Sequence, residues 1–378
     1  MPRDKYLKLE KTSIMEKRKP IVIVCPTSLG GHIEYSANLA NSFSEMWLGK
    51  IYILSRAGAK RHTSGLLNSN VEVIESLPPL IKNSYPNVVK HFQKALRLLK
   101  EILQISLFCR SNKATLVILQ EPRYGFLVNL IHPRVALFLH NIPADKVRGA
   151  SQKLEVNLSL STAKNADFVV VHGKAQEVSL RRHLTPRSVI QVPLPGVDTW
   201  AEEGLSNISR SSERKYLCLG EIRKNKNLEL LVDAADLAQL PIKIIGRKTD
   251  SRYFEDLESL AARSDFCKVQ EKFLSPTEFE LELSTAYCLI LPYGDFQAQS
   301  HVLAKALAFG TPVIVSDLPS LREQADNNKC TMFFERGNAS SLAKVMKEFD
   351  TSKQICRPFS YQWSQVTSEI LRGTGLSL

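Results

Sequence analysis

Short runs of β-branched and other apolar residues alternate with stretches of helical periodicity along most of this chain, and the alternation halts once near the middle and restarts. No other feature constrains the fold as strongly. Strands joined by helical crossovers pair in parallel, and a parallel sheet must be covered on both faces. The run Pro20-Ile-Val-Ile-Val-Cys25 ends at Pro26 and reads as a buried parallel strand. A Gly30-Gly31 turn follows, then Ile33, Ala37, Ala40 and Phe43 at helical spacing as far as Gly49, a natural helix stop. Residues 50–54, 71–74, 115–119, 135–139 and 167–171 continue the strand series.

The pattern pauses at Val192-Pro-Leu-Pro-Gly-Val-Asp198 and the polar stretch 206–214, where Pro, Gly and Ser cluster as in a linker. It resumes with strand-like runs at 215–219, 242–245, 288–291, 312–315 and 330–334, separated by helical stretches such as Leu228, Leu231, Val232 and Ala235. The reading is α/β, with two doubly wound Rossmann-like domains. The expected division is a polar N-terminal arm (1–19), an N-terminal domain (20–192), a linker (193–214), a C-terminal domain (215–355) and a C-terminal helix (356–378) packing back toward the N-terminal domain. The 378 residues suit two such cores better than one. Ligands of these sheets sit at the carboxyl ends of the strands, so two facing domains imply a cleft between them.

Composition narrows the partners. Lys+Arg 50 against Asp+Glu 38 leaves a net charge of +12, which suits nucleic acid, an anionic membrane or a phosphorylated small molecule. A nucleic-acid binder would interleave aromatics with Lys and Arg, and no such pattern occurs. No apolar run approaches the roughly 20 residues of a membrane-spanning helix. The charged N-terminus lacks a signal-peptide core, so the expected location is cytoplasmic. The cysteines, an odd number of seven, are scattered without a C-x-x-C pair, which reads as a reduced compartment with neither a disulfide framework nor a zinc site.

One segment carries two stripes. From Asn87 to Arg110, apolar Val89, Phe92, Leu96, Leu99 and Leu103 recur at helical spacing, and Lys90, Lys94 and Arg97 form a basic face. The first reading is a core-facing helix with a solvated basic face. The second is a basic amphipathic helix lying on an anionic membrane, peripheral on its inner face.

Three strand-to-helix loops carry the chemistry. Gly30 and Gly31 allow backbone to approach a ligand, and the following helix start offers free N–H groups to an anion. Gly220-Glu-Ile-Arg-Lys-Asn-Lys226 crowds Arg223, Lys224 and Lys226 at a strand end, where cations can neutralise a phosphate leaving group. The segment 289–317 holds a strand, a polar loop from Tyr293, a helix opening at Ser300 and stopping at Gly310, and another strand, with Glu323 beyond.

In order and spacing these segments resemble the GT-B glycosyltransferases, in particular the large family 4 of nucleotide-sugar enzymes. The resemblance also rests on His140-Asn141, Val169-Val-Val-His-Gly173, Val192-Pro-Leu-Pro-Gly-Val-Asp198, Ile244-Ile-Gly246, Lys305-Ala-Leu-Ala-Phe-Gly-Thr-Pro-Val-Ile-Val-Ser316 and a helix around Trp363. It runs from about Pro20 to the C-terminus. It implies the GT-B fold and transfer of a sugar from a nucleotide-diphosphate donor to a glycan or lipid-linked glycan, as in surface polysaccharide synthesis. The nucleotide sugar would be the co-substrate, and no metal or other cofactor is expected. The donor-binding candidates are Gly30, Gly31, Arg223, Lys226, Gly246, Tyr293, Gln299, Ser300, His301, Val302, Lys305 and Glu323. The proton-transfer candidates are His140, which the family places near the donor sugar, His32 and Asp145, with Glu121 weaker.

The chain departs from the family at its Glu-x7-Glu acids, where Gln297 and Lys305 stand instead. A lysine cannot accept a hydrogen bond from a ribose hydroxyl, so its expected partner is phosphate. Loss of both acids also admits a second reading, a catalytically silent GT-B-like protein that binds sugar nucleotide or glycan. A sugar-nucleotide epimerase would want several acids at this segment, and they are missing.

Overall fold

Each half of the chain closes around its own all-parallel sheet in the computed structural model, which describes residues 18–80, 87–142, 150–199, 216–294, 296–325, 328–350, 356 and 358–376. The first half builds β1 (Ile21–Val24), α1 (Gly31–Met46), β2 (Ile51–Leu54), α2 (Ala59–His62), β3 (Val71–Ile74), α3 (Asn87–Ser111), β4 (Leu116–Leu119), a 3-10 helix (Gly125–Leu130), β5 (Val135–Phe138), α4 (Ala150–Asn165), β6 (Phe168–His172), α5 (Lys174–His183) and β7 (Val189–Val192). The second builds β8 (Tyr216–Leu219), a short 3-10 helix (Lys224–Lys226), α6 (Glu229–Ala238), β9 (Ile242–Gly246), α7 (Ser251–Ala261), β10 (Cys267–Glu271), α8 (Pro276–Thr285), β11 (Cys288–Leu291), α9 (His301–Ala308), β12 (Val313–Ser316), α10 (Pro319–Gln324), β13 (Thr331–Phe334), α11 (Ala339–Glu348) and α12 (Trp363–Gly373).

The strand orders are β3-β2-β1-β4-β5-β6-β7 and β10-β9-β8-β11-β12-β13. Each chain of crossovers reverses direction beside its first strand, the place where such sheets open a crevice. The continuous β-branched runs have the expected cause. Ile21, Val22, Ile23 and Val24 are all fully buried because helices cover both faces of β1. Ile21 and Ile23 join one apolar cluster with Leu39, Phe43 and Ile370, while Val22 and Val24 join the opposite one with Ile102, Ile105 and Leu137. Two strands lie outside the sequence expectation. β7 is a four-residue run that ends where the stretch read as a pause begins, and β10, Cys-Lys-Val-Gln-Glu, is largely polar because it is an exposed sheet edge.

The helix α12 leaves the second domain and packs on the first, against α1 and β7. Val366, Ile370 and Leu371 enter the core of the first domain. The Trp363 indole N–H donates to the Val197 carbonyl at 2.8 Å, and the Thr367 hydroxyl donates to the Ser42 hydroxyl oxygen at 2.7 Å.

Two expectations need correction. Cys330 and Cys356 are joined in a disulfide with their Cα atoms 5.2 Å apart, whereas the scattered cysteines suggested none. The other five are buried thiols. The two partners are 26 positions apart and meet only because the strand β13 and the segment before α12 are brought together, which spacing cannot reveal. The second correction concerns α3. Its core face is Ile102, Ile105 and Cys109, not the stripe Phe92, Leu96, Leu99 and Leu103, all four of which are exposed. The helix is apolar on two sides, and periodicity alone cannot say which side meets the sheet. Buried Glu101 sets the rotation: it accepts from Arg56 at 3.0 Å, Arg123 at 2.7 Å and the Tyr124 hydroxyl at 2.8 Å. The side chains of Val89 and Lys90 lie outside the described part of the helix.

Truncating Ile370→Ala removes a fully buried side chain from the α12 seam. The expected loss is about 2–5 kcal/mol of stability, read by urea unfolding at constant m-value.

Candidate active site

A cavity of about 390 Å³ opens between the carboxyl ends of the two sheets. Its first-domain wall comes from the loops after β1, β5 and β6, and its second-domain wall from the loops after β8, β9, β10 and β11. Parallel strands bring every crossover loop to one end of the sheet, so residues far apart in sequence converge here.

On the first-domain side, Gly30 caps α1 at φ 82°, and no atom lies within 4 Å of where a Cβ on Gly30 or Gly31 would stand. Bare backbone and a helix start therefore face the cavity. Behind them lie His32, Tyr35, His140 and His172. His32 and His140 have ring centroids 4.8 Å apart, and Tyr35 contacts His140 at 5.0 Å and His172 at 5.7 Å. Trp363 from α12 supports Tyr35 at 4.9 Å, so the returning C-terminal helix buttresses this wall. Burial pushes His32 and His140 below the usual imidazole range, and pushes His172 down to about 4. Around neutral pH these imidazoles are uncharged. The His140 Nε2 atom lies 2.7 Å from the Gln120 side-chain oxygen, which fixes the proton on that nitrogen.

The second-domain wall is cationic. Gly220 takes φ 103°, and a Cβ there would stand 2.8 Å from the Lys226 ammonium. A Cβ on Gly246 would collide with the Gly220 carbonyl, so the backbone passes this closely only with glycine at 246, while Gly220 is favoured by its positive φ. Lys226 folds back over the strand end, donates to the Leu219 carbonyl at 3.3 Å and sits 6.0 Å from the Tyr293 ring centre. Burial pushes its ammonium down to about 8. Beside it, Glu221 lies between Arg247 at 2.9 Å and Arg223 at 3.4 Å. The Arg223 Nε has no hydrogen-bond partner.

The start of α9 completes this wall. The Ser300 side chain caps the helix by accepting from the Leu303 N–H at 3.2 Å, and its oxygen is 3.1 Å from the Tyr293 hydroxyl. Gln324 clamps the Ser300 backbone, accepting from its N–H and donating to its carbonyl, both at 2.7 Å. Gln299, His301 and Val302 also line the cavity. Burial, with the Lys305 charge beside it, pushes His301 down to about 4.

Some candidates are placed elsewhere. Lys305 reaches the cavity, but its ammonium donates to Asp198 at 2.5 Å and Glu280 at 3.3 Å. Burial opposes that charge, and the two carboxylates outweigh it and hold the ammonium above its ordinary value. The expected phosphate pairing is thus replaced by an internal ion cluster. Gln297, at the first family acid position, meets the Ser179 hydroxyl on α5. Glu323 does not line the cavity: it caps α5, accepting from the Lys174 N–H at 2.5 Å and the Ala175 N–H at 2.7 Å. Asp145 lies outside the described residues. Glu121 pairs with Arg123 at 3.2 Å.

Other lining residues escaped the sequence reading. Glu34 sits two positions after His32 in the first turn of α1 and pairs with His62 at 3.2 Å. It and Glu221 are the carboxylates lining the cavity among the described residues. Lys272, Phe273 and Phe279 bring an aromatic end to the cavity from beyond β10, a strand the sequence reading lacked. Among the described residues no group of three or more His, Cys, Asp or Glu is placed to hold a metal ion.

The arrangement offers an anion three things at one end: two cations, bare backbone and a helix start. An apolar, aromatic end beyond β10 suits a flat ring. Known proteins resemble this chain in its second half by sequence and over its length by fold. Residues 205–363 match the family model for glycosyl transferases group 1. No curated protein sequence matches the chain. Among solved structures, a sucrose-phosphate synthase from Thermosynechococcus elongatus is 16% identical, with 95% of this chain and 94% of that one covered and a TM-score of 0.68. Anabaena Alr3699/HepE in complex with UDP-glucose is 14% identical, with 94% and 96% covered and a TM-score of 0.67. The lipopolysaccharide outer core galactosyltransferase WaaB is also 14% identical, with 94% and 95% covered and a TM-score of 0.59. At these identities the likeness establishes the fold, which is GT-B.

The position of Lys226 sets a pH dependence. In the free protein the ammonium is retained below about pH 8 and lost above it. A bound diphosphate favours the charged form, so binding takes up a proton. Affinity for a nucleoside diphosphate is expected to fall by up to about tenfold per pH unit above 8. Calorimetry in buffers of differing ionisation enthalpy reads the proton directly, and Lys226→Met should abolish both effects.

Proposed function

We propose that this chain, a glycosyltransferase by its group 1 domain and its GT-B fold, moves a sugar from a nucleoside diphosphate donor to a glycan or lipid-linked glycan acceptor. Surface polysaccharide synthesis at the inner face of a membrane is the setting proposed for it. The observation that carries the reading is the buried Lys226 folded over the end of β8, beside Arg223 and on the same wall as the start of α9.

Breaking the bond between the anomeric carbon and the diphosphate leaves negative charge on the leaving oxygen. Lys226, Arg223 and the first N–H groups of α9 meet that charge from fixed positions in a water-poor cleft, where such groups act most strongly. Charge neutralisation by these cations makes a resident metal unnecessary in this scheme. The nucleotide ring takes the aromatic end around Phe273. The positive centre forming on the sugar is shielded by the uncharged imidazole wall of His140 and His172. The acceptor hydroxyl gives its proton to a first-domain group, with His32 and Glu34 open to the cavity. Anabaena Alr3699/HepE holds UDP-glucose, which makes uridine diphosphate sugars the first donors to try.

A thermal-shift panel of UDP, GDP, ADP and their sugars identifies the base, because a nucleotide that binds only the folded chain raises the melting temperature. With that donor, Lys226→Ala is expected to lower acceptor-dependent transfer by about 10²–10³-fold, with the far-UV spectrum unchanged. Chelation is expected to leave transfer intact. Wild-type transfer in Lys226→Ala would refute the assigned site. Donor binding without transfer would favour the binding-protein reading.

A further inference from the structure

We infer that Glu323 and Gln324, consecutive residues of α10, are positioning residues that make the ligand-facing start of α9 depend on contact with the first domain. What that helix start holds, a donor diphosphate, rests on the transfer reading above. Neither side chain lines the cavity.

The first-domain end of the link is the start of α5. That helix opens at Gly173, which has φ 86° and no side chain to cap it. A helix start leaves backbone N–H groups unpaired and carries partial positive charge. The second domain supplies the cap. One Glu323 oxygen accepts from the Lys174 N–H at 2.5 Å and the other from the Ala175 N–H at 2.7 Å. Glu177, the acid in the first turn of α5 itself, is turned away to Arg181 and Gln191. A Cβ on Gly173 would stand 2.7 Å from the Glu323 carboxylate and equally close to the Gln299 amide, so the bare glycine admits both side chains.

The other end is Ser300. Gln324 accepts from the Ser300 N–H and donates to the Ser300 carbonyl, both at 2.7 Å. That carbonyl and the His301 N–H belong to one planar trans peptide, so gripping the first aims the second in the opposite direction. The Ser300 N–H is spent on Gln324, and the Leu303 N–H is spent on the Ser300 side chain. The N–H groups of His301 and Val302, both lining the cavity, are therefore those that the start of α9 keeps for a ligand. Their direction is set by a side chain outside the cavity.

Packing joins the two ends. Leu318 and Leu321 of the α10 segment share one buried apolar cluster with Leu303 and Leu307 of α9, and α10 also packs on α5. A first domain drawn away from the second takes the partner of Glu323 with it, and the next residue along is the one that holds Ser300. The diphosphate contacts of α9 are thus fully formed only when the two domains touch.

Hydrogen exchange is followed by mass spectrometry in the ligand-free full chain, and UDP affinity by calorimetry. Glu323→Gln keeps the shape but removes the charge and one accepting oxygen. It is expected to speed exchange about three- to tenfold at the start of α5 and also at the start of α9, with β8 unchanged. UDP affinity should fall about three- to tenfold, although residue 323 lies outside the cavity. Gln324→Leu should weaken UDP binding by a similar factor. The double variant should bind within about twofold of the weaker single one, whereas two merely structural losses would multiply. The inference is overturned if the start of α9 exchanges as in wild type in Glu323→Gln, if that variant binds UDP like wild type, or if the two losses multiply. Should Gln324→Leu not fold, the first two outcomes decide. A wild type that binds neither UDP nor another nucleoside diphosphate would count against the transfer reading, while exchange at α9 would still decide the coupling.

Discussion

A buried ion cluster at the seam between the domains holds the cleft in shape. Lys305 on α9 is paired with Asp198 of the linker and Glu280 of α8, and each of the three residues is at least nine-tenths buried. Asp198 also accepts from the Asn38 side chain of α1 at 2.8 Å. One cluster thus ties two helices of the second domain, the linker and the first helix of the first domain. Buried charges are costly, and they are tolerated only when all are satisfied together, which favours one relative position of these elements over the alternatives. The linker reinforces it: a Cβ on Gly196 would strike the Ala304 carbonyl of α9, so the chain can pass here only as glycine. The glycine turn of α1 and the start of α9 face each other across the cavity because this seam sets their separation.

The two walls differ in charge for a physical reason. The second-domain wall concentrates Lys226 and Arg223 at strand ends, where a polyanion would be held. The first-domain wall carries imidazoles that burial keeps neutral. An anion in the cavity therefore meets side-chain cations on the second-domain wall, and backbone N–H groups and uncharged imidazoles on the first.

The same seam explains where the family acids went. Gln297 meets Ser179 and Glu323 caps α5, so both side chains serve contacts between the domains. Lys305 at the other acid position serves the ion cluster. A carboxylate at 305 would lie beside Asp198 and Glu280, and like charges would force the group apart. The lysine and its two acid partners form a matched set, and the departure from the family pattern is structurally consistent.

Much of this was legible in the sequence. Strand positions followed from β-branched runs, because a strand covered on both faces must be apolar throughout. The convergence of the Gly30, Gly220 and Ser300 loops followed from parallel topology alone. Strands β7 and β10 were hidden, one by the Pro-rich pause that begins at its last residue and one by the polar residues of an exposed edge. The pairing of Cys330 with Cys356 was hidden by sequence separation, and the aromatic end of the cavity was lost with β10. Tertiary structure alone decided two further matters. It turned Lys305 toward two carboxylates, because a side chain's partner is set by what other segments place within reach. It also turned the Phe92–Leu107 stripe outward, because a helix apolar on two sides is rotated by its most demanding buried group. Here that group is Glu101, whose charge had to reach Arg56 and Arg123.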